Sequence, residues 1–245
     1  LALPQAAVRR LQEEPAIDTT PWPPEHYCRT YLKLGQTADH IVHVVAFSRF
    51  TSTLELARMG AAMAREQEPR LSVEIVDSGA TGMAQGFVAM AAARKAASGA
   101  GIDSVLLSAE QARNSVWSVF ALQSLAYLAR TGRVGRLYGW AGSLLKVTPV
   151  VGLFDGKEHP LALTRSAAQA ARRILSFVDD HTRAGISLQA AVMHSGRADD
   201  AAALVEALAH RSGVGRCYSV EFTPVMQLVA GPGVLGVALY AEPDR

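Results

Sequence analysis

Strand-sized apolar segments alternate with helix-sized amphipathic segments along most of the 245-residue sequence. Residues 41–47 and 72–77 are rich in β-branched residues, as buried strands are, whereas residues 51–66 and 82–98 place apolar residues at helical spacing. Strands that alternate with helices form parallel sheets that the helices cover. The order therefore predicts an α/β fold with a parallel, Rossmann-like sheet in its first part.

The pattern changes after residue 146. Residues 147–154 and 160–164 are strand candidates on either side of Asp155-Gly156-Lys157, and Asp-Gly between two apolar segments is a strong hairpin signal. A helix, a strand, a helix and two more strands follow, the last two separated by a segment rich in glycine and proline. The sequence thus predicts two lobes, residues 1–146 and 147–245, with a mixed-sheet α/β second lobe.

Four other segments have helical patterns. Residues 1–14 have the spacing of a short amphipathic helix, and residues 25–34 begin after a proline and end before a glycine, as helices do. Residues 103–129 have a helical pattern that could be divided in two, and residues 137–145 form a short helical segment.

Composition and charge argue against several classes of protein. Apolar residues make up 49% and charged residues 19%, a globular balance, and no apolar segment approaches the roughly 18 residues that span a bilayer. The net charge of +2 is scattered, whereas nucleic-acid binders concentrate basic residues in a patch. The first 14 residues lack the apolar centre of a signal peptide, and Cys28 and Cys217 fit reduced thiols. We therefore expect a cytoplasmic protein without a nucleic-acid partner.

Motifs of common enzyme classes are missing from the sequence. It contains no Gly-x-Ser-x-Gly elbow, no His-Glu-x-x-His, no metal-spaced cysteine cluster and no Walker motif. Asp77 and His194 each end a predicted strand and are the two candidates for catalysis, although a cap for the next helix is the favoured role of Asp77. We expect no enzymatic activity, no cofactor and no bound metal.

Hydroxyl-bearing residues follow the first predicted strand and begin the next helix. Ligands of open α/β sheets bind beyond the carboxyl ends of strands, and helix N-termini attract anions. Thr51, Ser52 and Thr53 could therefore hold a carboxylate. Ser52 and Glu55 also have the spacing of a capping box, which needs no ligand and is favoured by that spacing alone. Because a cap uses one hydroxyl, both interpretations can hold together.

Three more segments could contact a ligand. Thr19 and Thr20 lie in a proline-rich loop, where a turn that caps the following helix is the favoured alternative. Glycines near Arg133 suggest a guanidinium directed at an anion, or a turn between helices with solvated arginines. Gly231-Pro232-Gly233 precedes a strand and lacks the spacing of a dinucleotide-binding motif, so a tight turn is favoured over close approach to a ligand.

These motifs, in this order, resemble those of the DegV family. Residues 128–149 contain Gly-Arg-Val-Gly, Gly-Ser-Leu-Leu and Lys-Val-Thr-Pro, where the family has a Gly-Arg-Ile-Gly turn, Gly-Ser-Leu-Leu and a Lys-Pro strand. Ile75-Val76-Asp77-Ser78 and the segment from Gly231 to Val237 are also similar to family signatures. The resemblance extends from residue 17 to the C-terminus.

The resemblance implies a bacterial lipid-binding protein of the EDD fold, with a long-chain fatty acid in a tunnel between two α/β lobes. The family holds the carboxylate with hydroxyls of a Thr-Ser-Gln-Pro loop and a Ser-Gly-Thr helix start, and some members present the acid to a separate fatty acid kinase subunit. The arginine of the Gly-Arg-Ile-Gly turn is implicated near the head group. The ligand-binding residues implied here are Thr20, Thr51, Ser52, Thr53, Arg133, Gly231 and Gly233.

Three features of the family pattern are different in this sequence, and one of them is Ser52 in place of the glycine of Ser-Gly-Thr. The family begins with a strand that ends in Thr-Asp-Ser, and the sequence starts after that point. We therefore expect a first lobe that is truncated relative to the family and closed in another way, for example by a second chain in a homo-oligomer. Val229 stands where the family has a histidine, and valine cannot donate a hydrogen bond to a carboxylate or phosphate. The alternatives are a degenerate DegV-like interaction module without a lipid ligand and a small-molecule enzyme that uses Asp77 or His194.

Overall fold

The computed structural model describes residues 10, 18–133, 135–137, 139, 147–182 and 187–242. A short 3-10 helix covers Gly135–Leu137. In chain order, the other elements are α1 (Pro24–Leu34), β1 (His40–Val45), α2 (Thr53–Gln67), β2 (Ser72–Asp77), α3 (Met83–Ala97), α4 (Ile102–Arg113), β3 (Val116–Ala121), α5 (Ala126–Arg130), β4 (Thr148–Phe154), β5 (Lys157–Thr164), α6 (Ala167–His181), β6 (Leu188–His194), α7 (Ala198–Ala209), β7 (Val214–Glu221), α8 (Pro224–Ala230) and β8 (Leu235–Ala241).

The chain forms two compact units. The small unit comprises Thr20–Thr81 and Gln85–Asn114. The large unit comprises Leu1–Thr19, Gly82–Ala84 and Ser115–Arg245. The predicted boundary near Lys146 falls within the large unit, among residues outside the described ones, and the division of the chain there stays a prediction.

The small unit has a two-stranded parallel sheet. β1 and β2 lie in register from His40 opposite Ser72 to Val45 opposite Asp77. Cys28 and Tyr31 of α1 form a buried cluster with Ala64 and Leu71, because the apolar stripes of α1 and α2 face the sheet. The parallel pairing is confirmed, whereas a larger Rossmann-like sheet stays a prediction.

The large unit contains a mixed sheet of six strands in the order β5-β4-β3-β8-β6-β7. β6 and β7 run parallel, and every other neighbouring pair is antiparallel. α6 and α7 bury their apolar faces, including Ile174 and Leu208, against strand residues such as Val119, Val237 and Leu239. The predicted mixed sheet is confirmed.

The predicted hairpin joins β4 and β5. Asp155 has φ 51° and Gly156 has φ 59°. Positive φ at both central residues is what a type I′ turn requires, and this turn matches the twist of the strands that it joins. The Asp-Gly signal therefore correctly locates one edge of the mixed sheet.

The helical prediction for residues 103–129 is wrong at its centre. α4 ends at Arg113, and Val116–Ala121 form β3, which lies between β4 and β8. Four of its six residues are buried and two are partly buried, so the strand lacks the polar alternation that marks a half-exposed strand. Ser118 is buried and donates its hydroxyl to the Leu153 carbonyl over 3.3 Å.

Two more predictions differ from the structure or lie outside it. The segment between the last two strands contains α8, seven residues long, which the sequence did not predict. The helices predicted over residues 1–14 and 137–145 lie mostly outside the described residues.

Candidate ligand-binding site

Both strands of the small unit's sheet end at the same edge, and the loops that follow them are hydrogen-bonded together. The Phe47 N–H donates to the Ala80 carbonyl over 2.9 Å, and the Ser78 N–H donates to the Val45 carbonyl over 3.1 Å. Ligands of open α/β sheets bind at such an edge, beyond the carboxyl ends of the strands. The predicted hydroxyls of Thr51 and Ser52 lie at the end of the first of these loops, and Thr53 begins α2.

Asp77 supports both loops. Its Oδ1 atom accepts the N–H of Gly79 over 2.9 Å and the N–H of Ser48 over 3.3 Å. Gly79 has φ 61°, a conformation that side chains other than that of glycine rarely adopt. The prediction that Asp77 caps the next helix is wrong, because α3 begins only at Met83. Its carboxylate stabilises the turn after β2 instead.

The hydroxyls of Thr51 and Thr53 form a pair. Their Oγ1 atoms lie 2.7 Å apart, and Thr51 Oγ1 also accepts the Thr53 N–H over 3.2 Å. Each hydroxyl has one proton, and one proton serves the bond between them. The pair therefore has one more O–H proton that a carboxylate oxygen could accept.

The predicted capping box does not form. Ser52 is the N-cap residue of α2, but its exposed side chain makes no capping hydrogen bond. Glu55 instead forms an ion pair with Arg58 over 3.1 Å. The capping-box interpretation, which the spacing of Ser52 and Glu55 favoured, is therefore wrong, and the hydroxyl of Ser52 does not bond the first turn of α2.

Arg133, Gly231 and Gly233 belong to the large unit, on segments next to strands of the mixed sheet, whereas Thr20 belongs to the small unit. Ala121 at the end of β3 lies opposite Leu235 at the start of β8, which in turn lies opposite His194 at the end of β6. Gly231 and Gly233 lie on the loop before β8 at this end, and Arg133 lies on the segment between β3 and β4. Gly231 packs against Tyr127, so the fold of the large unit brings these two segments together.

Arg133 holds a hydroxyl of the proline-rich loop. Its Nη1 atom donates to Thr19 Oγ1 over 3.2 Å and to the Thr131 carbonyl over 3.0 Å. Burial lowers the pKa of this guanidinium from its ordinary value. Sequence reasoning selected Thr20 rather than Thr19, and Thr20 is exposed. The sequence gives no signal that distinguishes Thr19 from Thr20, because the arginine that bonds Thr19 lies 114 residues away.

The two glycines of the Gly-Pro-Gly segment pack against protein groups. Gly231 has φ 86°, and a Cβ there would lie 2.5 Å from a ring carbon of Tyr127. Gly233 has φ 69°, donates its N–H to the Ser195 carbonyl over 3.0 Å and accepts from Arg197 over 3.3 Å. The tight turn is therefore present, and contact of either glycine with a ligand stays a prediction.

His194 is largely buried, with 8% of its surface exposed. Its Nδ1 atom accepts the Arg197 N–H over 3.3 Å, and its carbonyl accepts the Phe222 N–H over 2.8 Å. These bonds join the ends of β6 and β7 and give His194 a structural role. Val229 lies within α8.

Within the described ranges, no group of His, Cys, Asp and Glu side chains is suited to hold a metal ion. In the same part of the chain, every helix is too short or too polar to cross a membrane. Cys28 and Cys217 are free thiols, as the sequence predicted.

Comparison with known proteins places the chain in one family. The protein-family model described as "Uncharacterised protein, DegV family" matches residues 3–242 of this chain. A DegV domain-containing protein of Streptomyces coelicolor is 31% identical over 237 residues, which cover 96% of this chain and 82% of that protein. Protein DegV of Bacillus subtilis is 30% identical over 224 residues, covering 90% of this chain and 78% of the relative.

Solved structures of similar fold agree with this placement. The structure of DegV from Bacillus subtilis, described as a fatty acid binding protein, has a TM-score of 0.78 and 28% identity and covers 90% of this chain and 77% of its own. The structure of a DegV family protein from Thermus thermophilus, described by its fatty acid binding, has a TM-score of 0.88 and 24% identity. The match covers 98% of this chain and 85% of the Thermus thermophilus chain, and it shows that the two share a fold. The α/β fold, the sequence motifs and the extent of these matches together show that this chain belongs to the DegV family.

Proposed function

We propose that this chain binds a long-chain fatty acid and holds the carboxylate with hydroxyl groups. The observation that carries the proposal is the pair of hydroxyls of Thr51 and Thr53, 2.7 Å apart at the carboxyl edge of the small unit's sheet. The description of the Bacillus subtilis relative as a fatty acid binding protein supports the same ligand class.

The proposed head-group contacts come from short, uncharged donors and one arginine. A hydroxyl pair with one unused proton suits a carboxylate oxygen, and Ser52 adds an exposed hydroxyl that is not used for capping. In the large unit, Arg133 is a separate candidate contact for an anion, since burial strengthens the attraction of its positive charge to an anion. Thr19 joins the proposed set because Arg133 holds its hydroxyl. The complete proposed set is Thr19, Thr20, Thr51, Ser52, Thr53, Arg133, Gly231 and Gly233.

The acyl chain supplies most of the binding free energy in this proposal. Burial of each methylene contributes about 0.8 kcal/mol, so two more methylenes improve the dissociation constant about fifteenfold until the chain fills its site. The head group then fixes the orientation of the acid. The location of the chain in a tunnel, and its presentation to a kinase subunit, stay predictions from the family resemblance.

Calorimetry of delipidated protein tests the proposal. Dodecanoic, tetradecanoic and hexadecanoic acids, each below its critical micelle concentration, are expected to bind with rising affinity. Thr51→Val is expected to weaken hexadecanoic acid about tenfold, because a hydrogen bond to a charged group is lost. Thr30→Val is the matched control, since the Thr30 hydroxyl bonds the His26 carbonyl on the exposed side of α1. It is expected to bind like the wild type.

Native mass spectrometry of freshly purified protein gives an independent result. An added mass of fatty-acid size is expected. Absence of that mass, together with no heat on titration of any of the acids, would refute fatty acid binding and leave the interaction module as the better description.

A further inference from the structure

A single oxygen atom of Asp77 connects the two loops at the carboxyl edge of the small unit's sheet. Oδ1 accepts one N–H from its own loop, at Gly79, and one from the loop after β1, at Ser48. Both donors are backbone N–H groups, which a carboxylate oxygen or a side-chain amide oxygen can accept. The bond to Ser48 spans 29 residues of sequence and fixes one loop against the other.

The hydrogen bond to Ser48 lies shortly before the hydroxyl pair in the sequence. Ser48 is the second residue of a turn that the Phe50 N–H closes on the Phe47 carbonyl over 2.9 Å. The rings of Phe47 and Phe50 pack edge to face with centroids 5.1 Å apart, and this contact stiffens the turn. Thr51 follows the turn without an intervening residue. The position of its hydroxyl thus depends on where the turn is held.

We propose that Asp77 is a positioning residue for the carboxylate site, which acts through Ser48 to place the hydroxyls of Thr51 and Thr53. The inference rests on the proposed function and deepens it. The oxygen of Asp77 is what matters, and its charge is not needed, because both of its partners are backbone N–H groups. Removal of the charge also removes a repulsion toward an anionic ligand, so an amide at this position keeps the site intact.

Two substitutions separate the acceptor from the charge. Asp77→Asn retains Oδ1 and can accept both N–H groups. Asp77→Ser retains a short acceptor that can bond the Gly79 N–H in a local turn but cannot extend to Ser48 as well. Asp39→Ser is the matched control, since Asp39 is an exposed residue of the same unit.

The assay compares hexadecanoic acid with 1-hexadecanol, which has the same chain length and no charge. Asp77→Ser is expected to weaken the acid about tenfold and the alcohol less than about threefold, because the bonds to the charged head group are misplaced. Asp77→Asn is expected to bind the acid as well as the wild type or better. In the Thr51→Val background, Asp77→Ser is expected to add little, because both changes affect the same contact.

Three results would overturn the inference: unchanged acid affinity in Asp77→Ser, an equal loss for acid and alcohol, or a loss in Asp77→Asn as large as in Asp77→Ser. Should Asp77→Ser not fold, Ser48→Pro removes the same bond from the donor side, at a turn position that proline accepts. Failure of the wild type to bind any acid would refute the proposed function instead. Amide hydrogen exchange of residues 48–54 in unliganded protein then still tests positioning, with faster exchange expected in Asp77→Ser than in Asp39→Ser.

Discussion

Replacement of Tyr31 by phenylalanine tests the polar pair in the core of the small unit. The Tyr31 hydroxyl lies 2.7 Å from Nδ1 of His43. Burial, with a smaller effect of Tyr27, raises the pKa of Tyr31 to about 12, and burial lowers the pKa of His43. At neutral pH the phenol is therefore protonated and the imidazole neutral, and the tautomer of His43 decides which of the two groups donates the proton.

The size of the expected effect follows from the burial of the two partners. Loss of one partner of a buried hydrogen bond costs about 1 to 3 kcal/mol, because the other group stays desolvated without a partner. Tyr31 is 3% exposed, whereas His43 is partly exposed and can recover some hydration. We therefore expect Tyr31→Phe to lower the free energy of unfolding of the small unit by about 1 to 2 kcal/mol.

Amide hydrogen exchange of β1 and α1, measured by mass spectrometry in increasing urea, reports the small unit separately from the large one. Tyr27→Phe is the matched control, since it removes a hydroxyl from a partly buried tyrosine one turn earlier on the same helix. If the protection of β1 fell equally in both variants, or did not fall in Tyr31→Phe, the proposed role of the Tyr31–His43 bond would be refuted.

Three more predictions concern stability. Gly231→Ala adds a Cβ at φ 86° and 2.5 Å from the Tyr127 ring, and is expected to lower the free energy of unfolding by about 3 kcal/mol in thermal melts. Gly132→Ala adds a Cβ at φ 71° with nothing within 4 Å of it, and is expected to lower the same quantity by about 1 kcal/mol. Ser166→Ala removes a side chain that caps α6 and is expected to cost about 1 kcal/mol, whereas Ser52→Ala, which removes no capping bond, is expected to change unfolding in urea by less than about 0.5 kcal/mol. Burial lowers the pKa of His43 in the folded state below its unfolded value, so its contribution to stability is fully present above about pH 6.5 and is lost as the pH falls through the folded pKa. A His43→Gln variant whose free energy of unfolding varies with pH as steeply as that of the wild type would contradict this.

The fold could be predicted from sequence wherever a segment had a clear period or turn signal. β2 was predicted with its observed bounds, and Asp155-Gly156 located the hairpin. β3 was missed because burial on both faces removes the alternation by which a strand is recognised, and its neighbours Ala112 and Leu125 continue an apolar pattern. α8 was missed because seven residues give too few turns for a helical period to appear.

The location of Thr51 and Thr53 after the carboxyl end of a strand was predictable, whereas the hydrogen bonds around them were not. The strand end before Thr51 indicated where a ligand could bind, because that inference needs only the order of elements. The choice between a capping box and a free Ser52 depended on backbone geometry that the spacing does not determine. The contact of Arg133 with Thr19 depends on tertiary structure, since 114 residues separate the two.

The position of β8 has a consequence for how this protein acquires its structure during synthesis. β3, β4 and β5 form one antiparallel half of the mixed sheet, β6 and β7 form the other, and β8 alone lies between the halves. It is also the latest strand of that sheet in the chain. Until it leaves the ribosome, β3 and β6 each present a row of unpaired backbone groups, which invite pairing with other nascent chains. We expect the large unit to close in one late step, so that premature termination before Leu235 yields aggregation-prone polypeptides.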